Sequence, residues 1–169
     1  MPLVKDGKIT GDVFVHVPEG AELPGDGAIV IPAARFLEDP EALLKRAGKV
    51  GVIWPNNRDL DDLVPYLDRL AVVALVFPSF RDGRAYSQAR LLRERLGYQG
   101  ELRATGNVLQ DQAPFMLRCG FDSFESDQKG FGEALARARS LFSVVYQPTE
   151  DGRTTASLLR LKRRNAVFS

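Results

Sequence analysis

Cysteine is nearly absent from this chain: Cys119 is the single one in 169 residues. An intramolecular disulfide is therefore excluded, and a thiolate metal site would have no second cysteine. Histidine is equally scarce, with only His16. No His/Cys cluster with metal-ligand spacing can be drawn from these two residues, so no metal site is expected. Net charge is small, at +1. A dedicated nucleic-acid binder carries a much larger positive field, so no nucleic-acid partner is expected. No apolar run approaches the roughly 20 residues that span a bilayer, which leaves no membrane role in the reading. The opening, Met1-Pro2-Leu3-Val4-Lys5-Asp6, lacks the basic-then-apolar layout of a signal peptide, and a cytoplasmic location is the expectation. Three further signatures are missing: the Gly-x-Gly-x-x-Gly fingerprint, a phosphate loop ending in Gly-Lys-Ser/Thr, and a Gly-x-Ser-x-Gly elbow. No haem or iron–sulfur site is encoded either, so no cofactor is expected.

What is present is a repeat of strand and helix signals. The chain is long enough to bury about two-thirds of its unfolded surface, so one domain over residues 1–169 needs no staple. Leu3-Val4-Lys5 and Lys8-Ile9-Thr10 flank Asp6-Gly7, a dipeptide suited to a tight hairpin turn. Val13, Val15 and Val17 alternate with Phe14 and His16, which predicts another strand, and residues 18–27 read as a loop. Residues 1–27 thus form a β extension. From residue 28 apolar runs and helical patterns alternate. The runs are Ala28–Ile31, Val50–Trp54, Val72–Phe77, the more polar Glu101–Thr105, and Phe121–Phe124. Helix starts are expected at Asp39-Pro40, near Asp59 to Asp62, at Asp82-Gly83 and at Asp111, and Phe131 to Val145 carries a last amphipathic pattern. The expected fold is α/β. Residues 28–146 form a mostly parallel sheet of about five strands alternating with helices, either open and doubly wound or a barrel-like fragment. The polar fourth strand leans toward the barrel-like form, since a strand covered on both faces should be more apolar. Residues 147–169, with Lys162-Arg163-Arg164, read as a basic terminal segment.

In such sheets ligands bind beyond the carboxyl ends of the strands. The richest segment there runs from Arg81 to Arg90. Arg81 and Arg84 bracket Asp82-Gly83 at a helix start, Ser87 and Gln88 follow one turn on, and Arg103 with Thr105 on the next strand can extend the group. Guanidinium groups beside helix N–H groups suit phosphate, sulfate, sulfite or carboxylate. The plainer alternative has Asp82 capping its helix and the arginines in surface ion pairs. Asp111 and Gln112 can act on a ligand, though Asp111 also suits an N-cap. Glu125 at a strand end can serve as a general base, or only cap and pair. Cys119 reads as a buried structural residue, His16 as a surface or packing residue, and Trp54 as either a ligand stack or a core plug.

Residues 77–93, from Phe77-Pro78-Ser79-Phe80-Arg81-Asp82-Gly83-Arg84, carry a family resemblance, as do Gly100–Gly106, Asp111-Gln112 and Arg118–Asp122. Together they resemble the bacterial domain-of-unknown-function family numbered nine-three-four. The resemblance implies a bacterial protein whose relatives are often labelled oxidoreductases and whose genes lie beside those for sulfite reductase. It singles out Arg81, Asp82, Gly83, Arg84, Ser87, Gln88, Arg103, Gly106, Asp111 and Gln112. It also implies an aspartate where this chain has Asn107, and an amide there cannot move a proton.

Three functional readings follow. The first is an accessory protein of assimilatory sulfite reduction that binds an oxyanion or the reductase through an Arg81–Arg103 face. The second is a small enzyme that clamps an anionic substrate with those arginines and moves a proton with Asp82, Asp111 or Glu125. The third is a non-catalytic interaction module.

Overall fold

The computed structural model describes residues 1–141. The basic segment 147–169, and the Phe142 and Val145 positions of the last helical pattern, lie outside the described residues.

Eight strands form one curled sheet in the order β2-β1-β8-β7-β6-β5-β4-β3. Three are short: β1 (Leu3–Lys5), β2 (Lys8–Thr10) and β3 (Phe14–His16). The next four are the longer runs β4 (Ala28–Pro32), β5 (Val50–Trp54), β6 (Val72–Phe77) and β7 (Glu101–Gly106). β8 is Ser123–Glu125. From β3 to β8 every neighbouring pair is parallel. The expectation of about five strands was low, because the N-terminal strands join the same sheet. The hairpin β1–β2 turns at Asp6-Gly7, both with positive φ, and β1 pairs antiparallel with β8.

The helices pack on one face. They are α1 (Ala33–Glu38), α2 (Pro40–Leu44), α3 (Arg84–Arg90), α4 (Ala113–Arg118) and α5 (Phe131–Leu141). α2 begins as its sequence signals: Asp39 Oδ1 accepts from the Ala42 N–H at 3.0 Å, with Pro40 in the first turn. Two expectations fail locally. The acidic run Asp59–Asp62 opens no α-helix; Val64–Arg69 is a 3₁₀ segment with Pro65 in its first turn. Asp111 does not cap α4. It sits inside a 3₁₀ turn, Gln110–Gln112, and Gln112 takes the flanking position with no side-chain cap bond.

Alternation along the strands separates two cores. On the helix-covered convex face Val73, Leu75, Phe77, Leu102, Ala104 and Phe124 are fully buried. Truncating one of these large side chains to Ala would cost about 3 kcal/mol or more. The concave face holds a smaller group, Phe14, Val30, Val72 and Ala74. Its curvature needs small residues: a Cβ on Gly51 would lie 2.8 Å from Val72 Cβ and 3.1 Å from Val30 Cγ2. Glu101, Arg103 and Thr105 alternate onto this same concave face, and that is why β7 reads as polar. The curl brings edge strand β3 over to β7 and β8, where side chains rather than backbone bonds meet.

Candidate functional site

Arg103 lies at the centre of this seam. Its side chain is 1% exposed, so its charge has to be met by protein groups. Nη1 donates to Asp12 Oδ2 at 2.6 Å and to Glu125 Oε1 at 3.2 Å, and Nη2 donates to Asp12 Oδ1 at 3.1 Å and Glu101 Oε1 at 3.0 Å. The Phe14 ring centroid lies 5.7 Å from the guanidinium carbon. Ser123 Oγ donates to Glu101 at 2.6 Å and Lys5 pairs with the same carboxylate at 3.3 Å. The cluster therefore joins β1, β7 and β8 to the β3 edge.

At the carboxyl end of the strands the cluster opens. His16 ends β3 and Glu125 ends β8. The His16 Nε2 lies 3.2 Å from Glu125 Oε1 and 3.6 Å from Asp12 Oδ2, and the imidazole side chain is 44% exposed. Thr105 Oγ1 donates to Glu125 Oε2 at 2.7 Å. Burial alone would raise the Glu125 pKa, but bonds from His16, Thr105 and Arg103 outweigh it and bring it down to about 2. Asp12 follows the same pattern: desolvation opposes ionisation, and the Arg103 bonds with the Phe14 N–H hold it below the usual range. His16 moves upward, chiefly through its bond to Glu125. The result is an ionised carboxylate holding an imidazole at the mouth of a curled parallel sheet.

Asp12, His16 and Glu125 each offer a ligand atom, and the three atoms lie within 4.8 Å of one another. Arg103 Nη1 already bonds to the two carboxylate oxygens that face His16. A divalent ion would meet that guanidinium across its own ligands. The arrangement fits a proton better than a metal ion.

The other expected site residues fall on the loop side of the sheet. Arg84 makes a bidentate pair with Asp82, at 3.0 and 2.6 Å, and its backbone N–H also donates to Asp82 at 3.2 Å. That pair depresses the Asp82 pKa; Arg84 is largely exposed, whereas the Asp82 side chain is 19% exposed. Gly83 holds the position before α3 and has no side chain to cap it, so the Asp82 carboxylate one residue earlier meets the first N–H of the helix. Arg81 lies over the Phe80 ring at 5.3 Å. Ser87 and Gln88 line a depression of about 400 Å³ with Asn56, Arg58 and Arg84. Gln88 Nε2 donates to the Pro55 and Arg58 carbonyls at 3.2 and 2.9 Å, tying the loop after β5 to α3. Gln112 Nε2 donates to the Phe80 carbonyl at 3.0 Å, and Asn107 and Asp111 are exposed. Gly106 holds a φ of +91° with its Cα against the Phe77 carbonyl. Arg103 does not join Arg81 and Arg84, because its partners all lie on the concave face. Trp54 and Cys119 are fully buried in the helix-side core, away from the concave cluster that holds His16.

Glu125, Arg103 and Thr105 are thus brought together, and Asp12 and His16 join them without having been expected. The signal for these two lay in Asp12-Val13-Phe14-Val15-His16, where every second residue faces the cluster. Val13 and Val15, at 75% and 54% exposed, face outward.

A family model described as bacterial protein of unknown function (DUF934) matches residues 51–157. The chain belongs to that family. No curated protein matches it. The DUF934 span contains Glu101, Arg103, Thr105 and Glu125, whereas Asp12 and His16 lie upstream of it.

Proposed function

We propose that this DUF934 protein is a small acid/base enzyme working at the carboxyl mouth of its curled parallel sheet. The observation that carries the reading is the His16–Glu125 pair, 3.2 Å apart, at the ends of two strands. In parallel barrels and open α/β sheets this edge is where substrates are handled, with functional groups drawn from different strands. When neutral, His16 donates its Nε2 proton to Glu125, which leaves Nδ1 as the base. Glu125 stays ionised and stabilises the imidazolium that forms, while Thr105 and Arg103 fix the carboxylate. The carboxylates around the mouth favour a neutral or cationic substrate over the anionic one expected from the arginines.

Assimilatory sulfite reduction is the proposed setting, on the strength of the family resemblance. A strain lacking the gene is grown on sulfate or on cysteine and complemented with wild type or His16→Gln. Growth on sulfate should be lost in the deletion and in the His16→Gln strain, with cysteine rescuing both. Normal growth of the deletion strain on sulfate removes the setting. Full complementation by His16→Gln removes the acid/base reading.

One observation favours a second reading, docking onto a partner such as the reductase. Phe80 and Phe115 are 52% and 46% exposed, Arg81 stacks on Phe80, and Gln112 ties the Phe80 backbone to the start of α4. Aromatic and arginine side chains dominate binding hot spots. Co-purification lost in Phe80→Ala with Phe115→Ala would favour docking.

A further inference from the structure

Strand β3 closes the concave face as a strap. It bonds to β4 on one side and ends the sheet on the other. Its only backbone anchor beyond the strand ladder among the described residues is the Val17 N–H on the Val30 carbonyl at 3.0 Å. The loop that follows is stapled down: Arg35 donates to the Pro18 and Ala21 carbonyls, and Arg46 to those of Pro24 and Gly27. Before it, β2 is held in the hairpin with β1. Residues 11–17 are therefore a short span between two fixed ends. Among the described residues they are held across the seam by side chains alone, Asp12 on Arg103, Phe14 over Arg103 and His16 on Glu125.

We propose that residues 11–17 act as a proton-gated strap over the concave site, held on β7 and β8 while His16 carries a proton and loosened when it does not. The charged groups that bear on His16 are Asp12 just ahead of its own strand, Glu125 on β8 and Arg103 on β7, with Glu101 and Lys5 behind them. Three carboxylates there face two fixed cations, and the proton on His16 evens the count. When that proton leaves to solvent through the half-exposed imidazole, one negative charge stays uncompensated in a buried cluster. Separating the strap from the cluster hydrates that charge. The gate rests on the reading of the mouth as the working site and adds to it: the loosened strap admits substrate while His16 is neutral, and the strap tightens on Glu125 as His16 takes up the proton.

Amide hydrogen exchange, corrected for intrinsic rates, tests this at about pH 5.5 and about pH 8.5, on either side of an ordinary histidine pKa. Protection at residues 14–17 should fall about fivefold at the higher pH, the scale of one partly exposed ion pair. Protection of β6 should not change. His16→Gln should show low strap protection at both pH values. The proposal is overturned if wild-type strap protection is the same at both, if it changes only in step with β6, or if His16→Gln keeps the pH dependence. No turnover enters this readout. A static strap leaves the growth test of the acid/base reading standing, and a moving strap with full complementation by His16→Gln leaves a gate without that chemistry.

Discussion

Arg103 and Arg84 make the same bond type with opposite consequences. Arg84 pairs with Asp82, two residues before it, and 60% of its side chain is exposed. Arg103 pairs with Asp12, 91 residues away, and is 1% exposed. The first pair closes a local turn at the surface, where Coulomb attraction is weak and salt screens it. The second fastens a strand edge across a sheet, inside a region where each charge is costly unless answered. Arginine content marks both regions in the sequence; only sequence separation and burial distinguish a local pair from a seam.

The most direct way to break the comparison is to remove the buried partner. Arg103→Met should destabilise the protein by about 3–5 kcal/mol, the range for leaving buried charges without their counter-ion. Urea unfolding measures it. A loss below about 1 kcal/mol would place Arg103 in the same class as Arg84 and end the claim that the seam differs from the loop.

Glu125 sharpens the same contrast through pH. Its folded pKa of about 2 lies below the ordinary 4.5. A depressed carboxylate stabilises above its unfolded pKa, and that contribution disappears as pH falls through the folded value. Wild type should therefore lose up to about 3 kcal/mol between pH 4.5 and pH 2. Glu125→Gln should show a flatter profile over the same window. His16 has the opposite sign: its raised pKa stabilises at low pH, and the contribution is lost as pH rises through the folded value. Unfolding midpoints measured across pH for both proteins check this, and parallel profiles would separate Glu125 from the cluster.

The parallel strand–helix order could be read because each long strand is an apolar run bounded by turn signals, and Val72–Phe77 is the clearest case. The polar spelling of Glu101–Thr105 carried real information too: its polar residues belong to a concave face that none of the described helices covers. The site was only half legible. Glu125 and Thr105 stand at strand ends, where position alone draws attention. His16 ends a three-residue strand and Asp12 lies two residues ahead of it, and their contact across the seam is made by side chains. No local pattern encodes a contact of that kind. The arginine loop invited the opposite error, since residues that are neighbours in sequence satisfy one another before any ligand arrives.

Gly106 stands where the two regions meet, at the end of β7 beside the end of β6. Its φ of +91° is poorly tolerated by residues with a Cβ, and a Cβ there would lie 2.5 Å from the Phe77 carbonyl oxygen. Gly106→Ala should cost about 2 kcal/mol in thermal or urea unfolding. An unchanged midpoint would mean that the β7 exit relaxes freely, and the mouth would then not be a rigid platform for His16 and Glu125.

The smallest expected effect belongs to the loop. Arg84→Ala removes a bidentate pair with good distances, yet its arginine is open to water and the pair spans two residues. The guanidinium is well solvated whether paired or not, and ordering a long arginine offsets what attraction remains. The urea midpoint should stay at its wild-type value. The same substitution also reads the loop's function. If Arg84→Ala leaves the urea midpoint in place but abolishes growth on sulfate, the arginine loop binds something the cell needs. The work of the protein would then be shared between that loop and the mouth. If growth and midpoint are both unchanged, Arg84 and Asp82 only close a turn, and the seam cluster remains the place where the charges of this fold act.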